Sequence, residues 1–421
     1  TYYSRTSGPW NAPNSWSTES HTGPAASNIP NAPTGEDAVI GNNHIITVES
    51  TQDITNLAQL TVDNSGTLTV SASGTLILDN FTITGGGSFE LQSSGTLNIG
   101  ALDGITPEGT NEGNIQTESR SYSSSANYIY AGSSSQVTGA GLPQQVNNLR
   151  INTNSSVTAT SNLQVNSTLT LQSGTLRIPS GQELIANNKS IQNGNLEFER
   201  ILDGMPGWRM VSSPIDATYG NFLSGVLTQG YDGATYDASV APNDSLQPNV
   251  LYFEDTVDGT DNQKWRSPAS ASSSVPAGLG YNLYLFGDVN NDDRYNNPMP
   301  DTLRVTGQEH SGSVNLYTTQ ADSGWHLVGN PYVATIDWDD ASSWTKTNTD
   351  QTIYVWEPDV KSYKIWNGTT GSLASGLIKP FQAFWVKANN NNPQLTVSED
   401  AKTFGGTFVG KFASDGNPEV E

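Results

Sequence analysis

The residues best suited to chemistry in this chain are three oxygen donors, Asp288, Asn290 and Asp292, at alternate positions directly after an apolar run ending at Phe286. Alternating oxygens in a tight loop are what a hard cation such as Ca²⁺ takes as ligands, and the opening of this loop has EF-hand-type spacing. Two positions depart from that pattern. Asp293 stands where glycine admits the sharp turn, and Met299 stands where a bidentate Glu belongs, with Asp301 nearby. The expectation is a Ca²⁺ site, with an Asx-rich turn as the alternative.

Acid–base chemistry has weaker support. Glycoside cleavage needs two carboxylates facing one bond, roughly 5–10 Å apart. The pairs Asp339-Asp340 and Asp292-Asp293 are adjacent in sequence, so on a strand they point to opposite faces. The histidines His21, His44, His310 and His326 are far apart in sequence and lack metal-ligand spacing. With 0 cysteines, disulfides, thiol nucleophiles and cysteine-ligated metals are excluded. Gly85-Gly86-Gly87 has no helix after it to hold a phosphate. No catalytic residue is assigned and the chain is expected to be non-enzymatic. Among the aromatics, Trp325, Phe384 and Trp385 sit in strand-like runs and are expected in the core. Trp344, Trp356 and Trp366 are the candidates for a surface on which sugars stack.

The elements that carry these residues are β-strands. Only 34% of the 421 residues are hydrophobic and 14% charged, the rest being rich in Ser, Thr, Asn and the 41 glycines. Such a mixture disfavours long helices and favours short strands with tight turns. The 16 Tyr and 10 Trp argue against disorder. A net charge of −23 excludes nucleic acid and anionic membrane surfaces as partners, and no apolar run is long enough to insert into a bilayer.

From Asp37 onward, runs such as Ile45-Ile46-Thr47-Val48, Leu68-Thr69-Val70 and Leu76-Ile77-Leu78 alternate with polar turns, and Gly-Thr-Leu recurs at Gly66, Gly74, Gly95 and Gly174. Runs this short bury a core only when stacked, so residues 36–200 are expected to form a parallel β-solenoid of some eight rungs. Leu68 and Val70 should point inward and Thr69 outward. An irregular insertion is expected at 101–146. Residues 1–35, with Trp10 and Trp16, are expected to cap the first open edge.

After Arg200 a second repeat begins. Gly207-Trp208-Arg209-Met210-Val211 matches Gly324-Trp325-His326-Leu327-Val328. Leu251-Tyr252-Phe253 matches Ile353-Tyr354-Val355, and Gly278-Leu279 with the run to Leu285 matches Gly376-Leu377 with the run to Val386. The order is conserved within the chain, so two antiparallel β-sandwich units are expected, at 201–318 and 319–421. The fold class is therefore all-β.

The strings Gly324-Trp325-His326-Leu327-Val328-Gly329-Asn330-Pro331-Tyr332 and Gly376-Leu377-Ile378-Lys379-Pro380-Phe381-Gln382-Ala383-Phe384-Trp385-Val386-Lys387 resemble the region preceding the sorting domain in secreted surface proteins of Bacteroidota exported by type IX secretion. The opening Thr1-Tyr2-Tyr3-Ser4-Arg5, with Trp10 and Trp16, is similar to the mature start of such proteins. The likeness covers most of the chain, strongly at 1–20 and 324–387 and loosely through the solenoid. It implies an exported, processed protein whose sorting domain was removed or lies outside this sequence, and it carries over no catalytic residues. Asp244-Ser245-Leu246, Asp255-Thr256-Val257 and Asp301-Thr302-Leu303 resemble the O-glycosylation signal of the same bacteria, with Ser245, Thr256 and Thr302 as acceptors.

The function expected from all this is an extracellular structural or adhesive surface protein, self-associating into a homopolymer through β-edges such as Thr407-Phe408-Val409-Gly410-Lys411-Phe412. The rivals are a β-helix enzyme that degrades polysaccharides and a module that binds surface glycans.

Overall fold

The computed structural model describes residues 1–30, 35–236, 246–286, 299–317 and 323–410. Its packing divides into two units: Thr1–Ile178 with Leu184–Leu196, and Pro179–Glu183 with the chain from Glu197 onward.

The first unit is a parallel β-solenoid. One ladder stacks Tyr2–Ser4, Asp37–Ile40, Gln59–Val62, Ile83–Leu91 and Ile115–Tyr122 in parallel. A second adds Ile45–Val48 and Thr67–Val70 below the far half of Ile83–Leu91. A third runs from Thr51–Asp53 through Thr75–Asp79, Thr96–Ile99, Asn127–Tyr130 and Asn148–Thr158 to Leu163–Ile178. Register places like on like: Leu76, Leu97, Tyr128, Leu149 and Leu169 form one column, all buried. Each such leucine contributes about 1.5–3 kcal/mol of burial. Side chains bond across successive turns at separations such as 19 residues, from Gln145 to Gln164, and 31 residues, from Asn127 to Thr96. Asparagines tie the turns at one corner, where Asn147 and Asn148 both donate to the Asn127 Oδ1, at 2.9 and 2.8 Å.

The recurring glycine has a steric cause. A Cβ at Gly66 or Gly95 would lie 2.9 Å from carbonyl oxygens of the preceding turn, and one at Gly74 only 2.0 Å from the Val48 oxygen. At Gly174 the oxygens of Thr153 and Ser155 stand in the same relation, at 2.7 Å. The triplet therefore marks where one turn rests its backbone on the next.

Two expectations need adjusting. Thr69 is buried, held between Thr47 and Glu90 of the adjacent turns. The stretch 101–146 is only partly irregular, because Ile115–Tyr122 and Asn127–Tyr130 remain in the ladders. Within it, the buried Arg120 guanidinium holds a loop by donating to Thr117 O, Thr106 Oγ1 and Pro107 O. At the N-terminus Trp16–Ser17 pairs antiparallel with Tyr2–Ser4, and Trp10 and Trp16 are fully buried edge-to-face at 5.0 Å.

In the second unit the duplication is visible as topology. Gly207–Ser212 pairs with Gly280–Leu285, which pairs with Val250–Phe253 and then Trp265–Arg266. Trp325–Gly329 pairs with Ala383–Lys387, which pairs with Ile353–Glu357 and then Ser362–Trp366. The copies pack as one unit and meet reciprocally. Val211 bridges Gln382 while its counterpart Val328 bridges Leu279. The Ser212 N–H donates to Phe381 O and the Gly329 N–H to Gly278 O, both at 2.9 Å. Such an exchange of partners is what a two-fold relation requires. Gly278 and Phe381, equivalent positions, have φ of +73° and +65°. Phe381 holds that left-handed conformation with its ring buried and stacked on Phe198 at 5.5 Å.

The tail expected to add a strand to a neighbour is engaged within its own unit. Phe408 and Val409 are buried, the Val409 N–H donates to Gln382 Oε1, and Arg200 lies over the Phe408 ring; Lys411 and Phe412 lie outside the described residues.

Replacing Gly74 by alanine should lower the unfolding free energy by about 2–4 kcal/mol in urea titrations, whereas Ser93→Ala at an exposed turn should stay within about 0.5 kcal/mol of the parent. An unchanged midpoint for Gly74→Ala would rule out the close approach of successive turns.

Candidate functional site

Strand alternation gives the sheet built on Trp325–Gly329 and Ala383–Lys387 two different faces. On one face Val328, Phe384, Val386, Ile353 and Val355 enter the core with Tyr332, Trp338 and Trp344. On the other, Leu327, Ala383 and Trp385 pack with Met210 and Phe253, and Trp265, Trp325, Tyr354 and Trp356 close around them. That second face opens as a pocket of about 380 Å³. Trp325, Trp385, Tyr354 and Tyr363 come from the second copy of the repeat, and Phe253, Trp265 and Asp261 from the first. The Phe253 and Trp265 rings stand edge-on to Trp385 at 5.1 and 5.8 Å. Trp325 is edge-on to Tyr354 at 5.3 Å. The Trp385 indole N–H is buried without an acceptor at bonding geometry, and it acts electrostatically on the Tyr363 hydroxyl, whose pKa burial nonetheless raises.

A buried carboxylate holds the two contributions together. Asp255, just beyond Val250–Phe253, accepts from Lys264 Nζ at 3.1 Å, Ser323 N at 3.0 Å, Ser323 Oγ at 2.7 Å and Gly324 N at 2.9 Å. Burial pushes its pKa up, but these donors outweigh burial and hold it at about 2. Lys264 ends the short 3₁₀ turn Asp261–Lys264, which a capping box from Thr260 and Gln263 starts. One contact set thus fixes Asp261, Trp265 and Trp325. Behind the pocket His326 stacks on Tyr317 at 4.0 Å and 7°; burial, opposed by Asp255, lowers its pKa to about 4.

Of the residues singled out from sequence, Trp356 is half-buried at the edge of this face, with its ring 5.3 Å from Tyr363. Trp366 is half-buried elsewhere, with its indole N–H donating to the Asp339 carboxylate at 2.9 Å. Trp344 does not qualify as a sugar platform: it is only 8% exposed, packs on Trp338 at 4.7 Å and donates its N–H to Asp337 O. The adjacent Asp339 and Asp340 separate as expected, since Asp340 accepts from Ser342 and Ser343 in a turn. Thr256 is exposed and Thr302 half-buried, but the aspartates before them, Asp255 and Asp301, are both buried, so an enzyme reading the folded chain would not reach them. Ser245, Asp288, Asn290 and Asp292 lie outside the described residues.

In the first unit His21 and His44, remote in sequence, come to 5.9 Å between ring centroids. Both spend Nδ1 on Ser4, His44 on its Oγ at 2.8 Å and His21 on its carbonyl oxygen at 2.6 Å, which closes the first turn. The expectation of a buried Trp385 holds, since it is 8% exposed, whereas Trp325, also expected in the core, is only partly buried and lines the pocket. Alternation alone separates them from Val328 and Phe384. No family model matches the chain, and no curated protein or solved structure is similar to it.

The folded-state value of about 4 for His326 lies below the usual 6.5, so the unfolded chain takes up a proton that the folded one refuses. The associated stability is complete above pH ~6.5 and is lost as pH falls toward 4, by on the order of 2–3 kcal/mol. His326→Phe, which keeps a ring against Tyr317, should shrink the fall in Tm between pH 7.5 and 4.5. Equal falls for parent and variant would show that His326 is not held neutral.

Proposed function

We propose that this chain is a non-catalytic adhesive protein of the cell exterior, in which the stacked turns serve as scaffold and the second unit carries the recognition site. The observation that carries this reading is the aromatic pocket. Trp265, Trp325 and Tyr354 are only partly buried and Tyr363 is 47% exposed, so solvent reaches rings that a core would enclose. Exposed aromatics gathered around a concavity are the usual material of binding sites. The hydroxyl-rich outward faces of the solenoid and the net charge of −23 suit a soluble exported chain. Export by type IX secretion in a member of the Bacteroidota belongs to the same proposal and rests on the strings around Trp325 and Trp385.

Fluorescently labelled protein should adsorb to at least one of a panel of bacterial, algal and mucin-coated surfaces. Trp325→Ala should reduce that adsorption about tenfold or more. Adsorption to none of the surfaces, or equal adsorption by parent and variant, would refute adhesion through this pocket.

A further inference from the structure

We infer that the pocket binds an alkylated ammonium cation, of the choline or trimethyllysine type, in preference to a sugar. This rests on the reading of the pocket as the recognition site, and three observations on its geometry and charge carry it further.

The first is the disposition of the rings. Trp325 and Trp265 stand at 87° and 83° to Trp385, and Phe253 at 78°. A pyranose stacks on one flat face, whereas walls near right angles present several ring faces to one compact guest. A rounded cation satisfies such a box, since each ring face is the negative end of its quadrupole.

The second is the supply of polar groups. A sugar brings a hydroxyl on nearly every ring carbon, and each one buried without a partner is a loss. Beside the indole N–H donors of its tryptophans, the lining offers side-chain acceptors only on the Asp261 carboxylate and two tyrosine hydroxyls, too few for the hydroxyl protons of a buried pyranose. A quaternary ammonium has no hydrogen-bond donor to satisfy.

The third is charge. Asp261 stands at the pocket with its side chain 70% exposed, 3.9 Å from a Lys264 ammonium that is itself buried against Asp255 at 3.1 Å. Asp261 thus keeps a solvent-accessible anionic edge for a guest. Lys387 lies 5.4 Å from the centre of the Trp325 ring. Its ammonium already uses that ring's attraction for cations, and it would repel a second positive charge.

These features give the site an electrostatic signature that hydrophobic filling would not produce. The intact protein would be titrated at low salt with choline, with its neutral isostere 3,3-dimethyl-1-butanol, and with glucose, galactose, mannose and N-acetylglucosamine. Tryptophan fluorescence and calorimetry would report binding. Choline should bind at least about tenfold tighter than the isostere, and salt should weaken it. Asp261→Asn, with an unchanged Tm as the check on its fold, should weaken choline severalfold, Lys387→Ala should tighten it, and neither should move the isostere. Phosphocholine-conjugated albumin and a trimethyllysine peptide, titrated next, would tell which carrier presents the cation.

Equal binding of choline and isostere, no binding of choline, or indifference to both charge substitutions would overturn the inference. Sugar binding without choline binding would overturn it too, while leaving the pocket as a recognition site. Choline binding with adsorption unaffected by Trp325→Ala would instead remove the adhesive reading and keep the cation site.

Discussion

The second unit depends on one buried carboxylate. Asp255 sits in the first copy of the repeat, yet three of its four donors, the N–H groups of Ser323 and Gly324 and the Ser323 hydroxyl, belong to the entry of the strand that carries Trp325. The Lys264 ammonium, also buried, supplies the balancing charge. Burying either partner alone would be strongly unfavourable, whereas together, and with every nearby donor used, they specify one arrangement of the two copies. The walls of the pocket come from both copies, so its shape follows from this contact.

Duplication explains why the unit exists, and divergence explains why the two copies contribute differently to the pocket. The reciprocal bonds from Ser212 to Phe381 and from Gly329 to Gly278 preserve an approximate two-fold axis. Small residues make it possible: a Cβ at Gly329 would fall 2.1 Å from that of Ser212. Met210 and Leu327, equivalent positions, meet in the same cluster. Away from the axis the copies part. Opposite Leu327 the second copy has Trp385, while opposite Met210 the first has Asn282. With no indole in that place, the first copy cannot frame a matching box.

The solenoid was legible in the sequence because its physics is local. A short alternating run, a turn and a glycine that must touch the backbone below it recur along the solenoid, and every recurrence adds to the signal. The duplicated strands were legible through the matched Gly-Trp pair, whereas the Gly-Leu match was out of register, since Gly278 is equivalent to Phe381 and not to Gly376. The pocket was not. Trp325, Trp385 and Tyr354 share a face by alternation, but whether that face meets solvent depends on where Phe253 and Trp265 fall, more than fifty residues away. Trp344 misled in the opposite sense, since it packs on Trp338, which in turn packs on Phe384 from a distant strand.

The placement of basic residues links the stability of the second unit to what it attracts. Glu183 accepts from Thr335 N and pairs with Lys379; Glu309 accepts from Val333 N and pairs with Lys402 at 2.7 Å; Asp255 accepts from Gly324 N and pairs with Lys264. In each case a buried carboxylate satisfies backbone donors where the chain turns, and a lysine drawn inside neutralises it. The chain has only 18 basic residues against 41 acidic ones, so lysines committed to the interior are withdrawn from an already acidic surface. Each buried pair removes one acid along with one base, so the exposed surface still carries the whole net charge of −23, and near the pocket Lys387 is a cation that relieves it. A protein that shields its buried acids with its scarce lysines leaves Asp261 and its neighbours as an attractive surface for cations, by the same economy that holds the fold together.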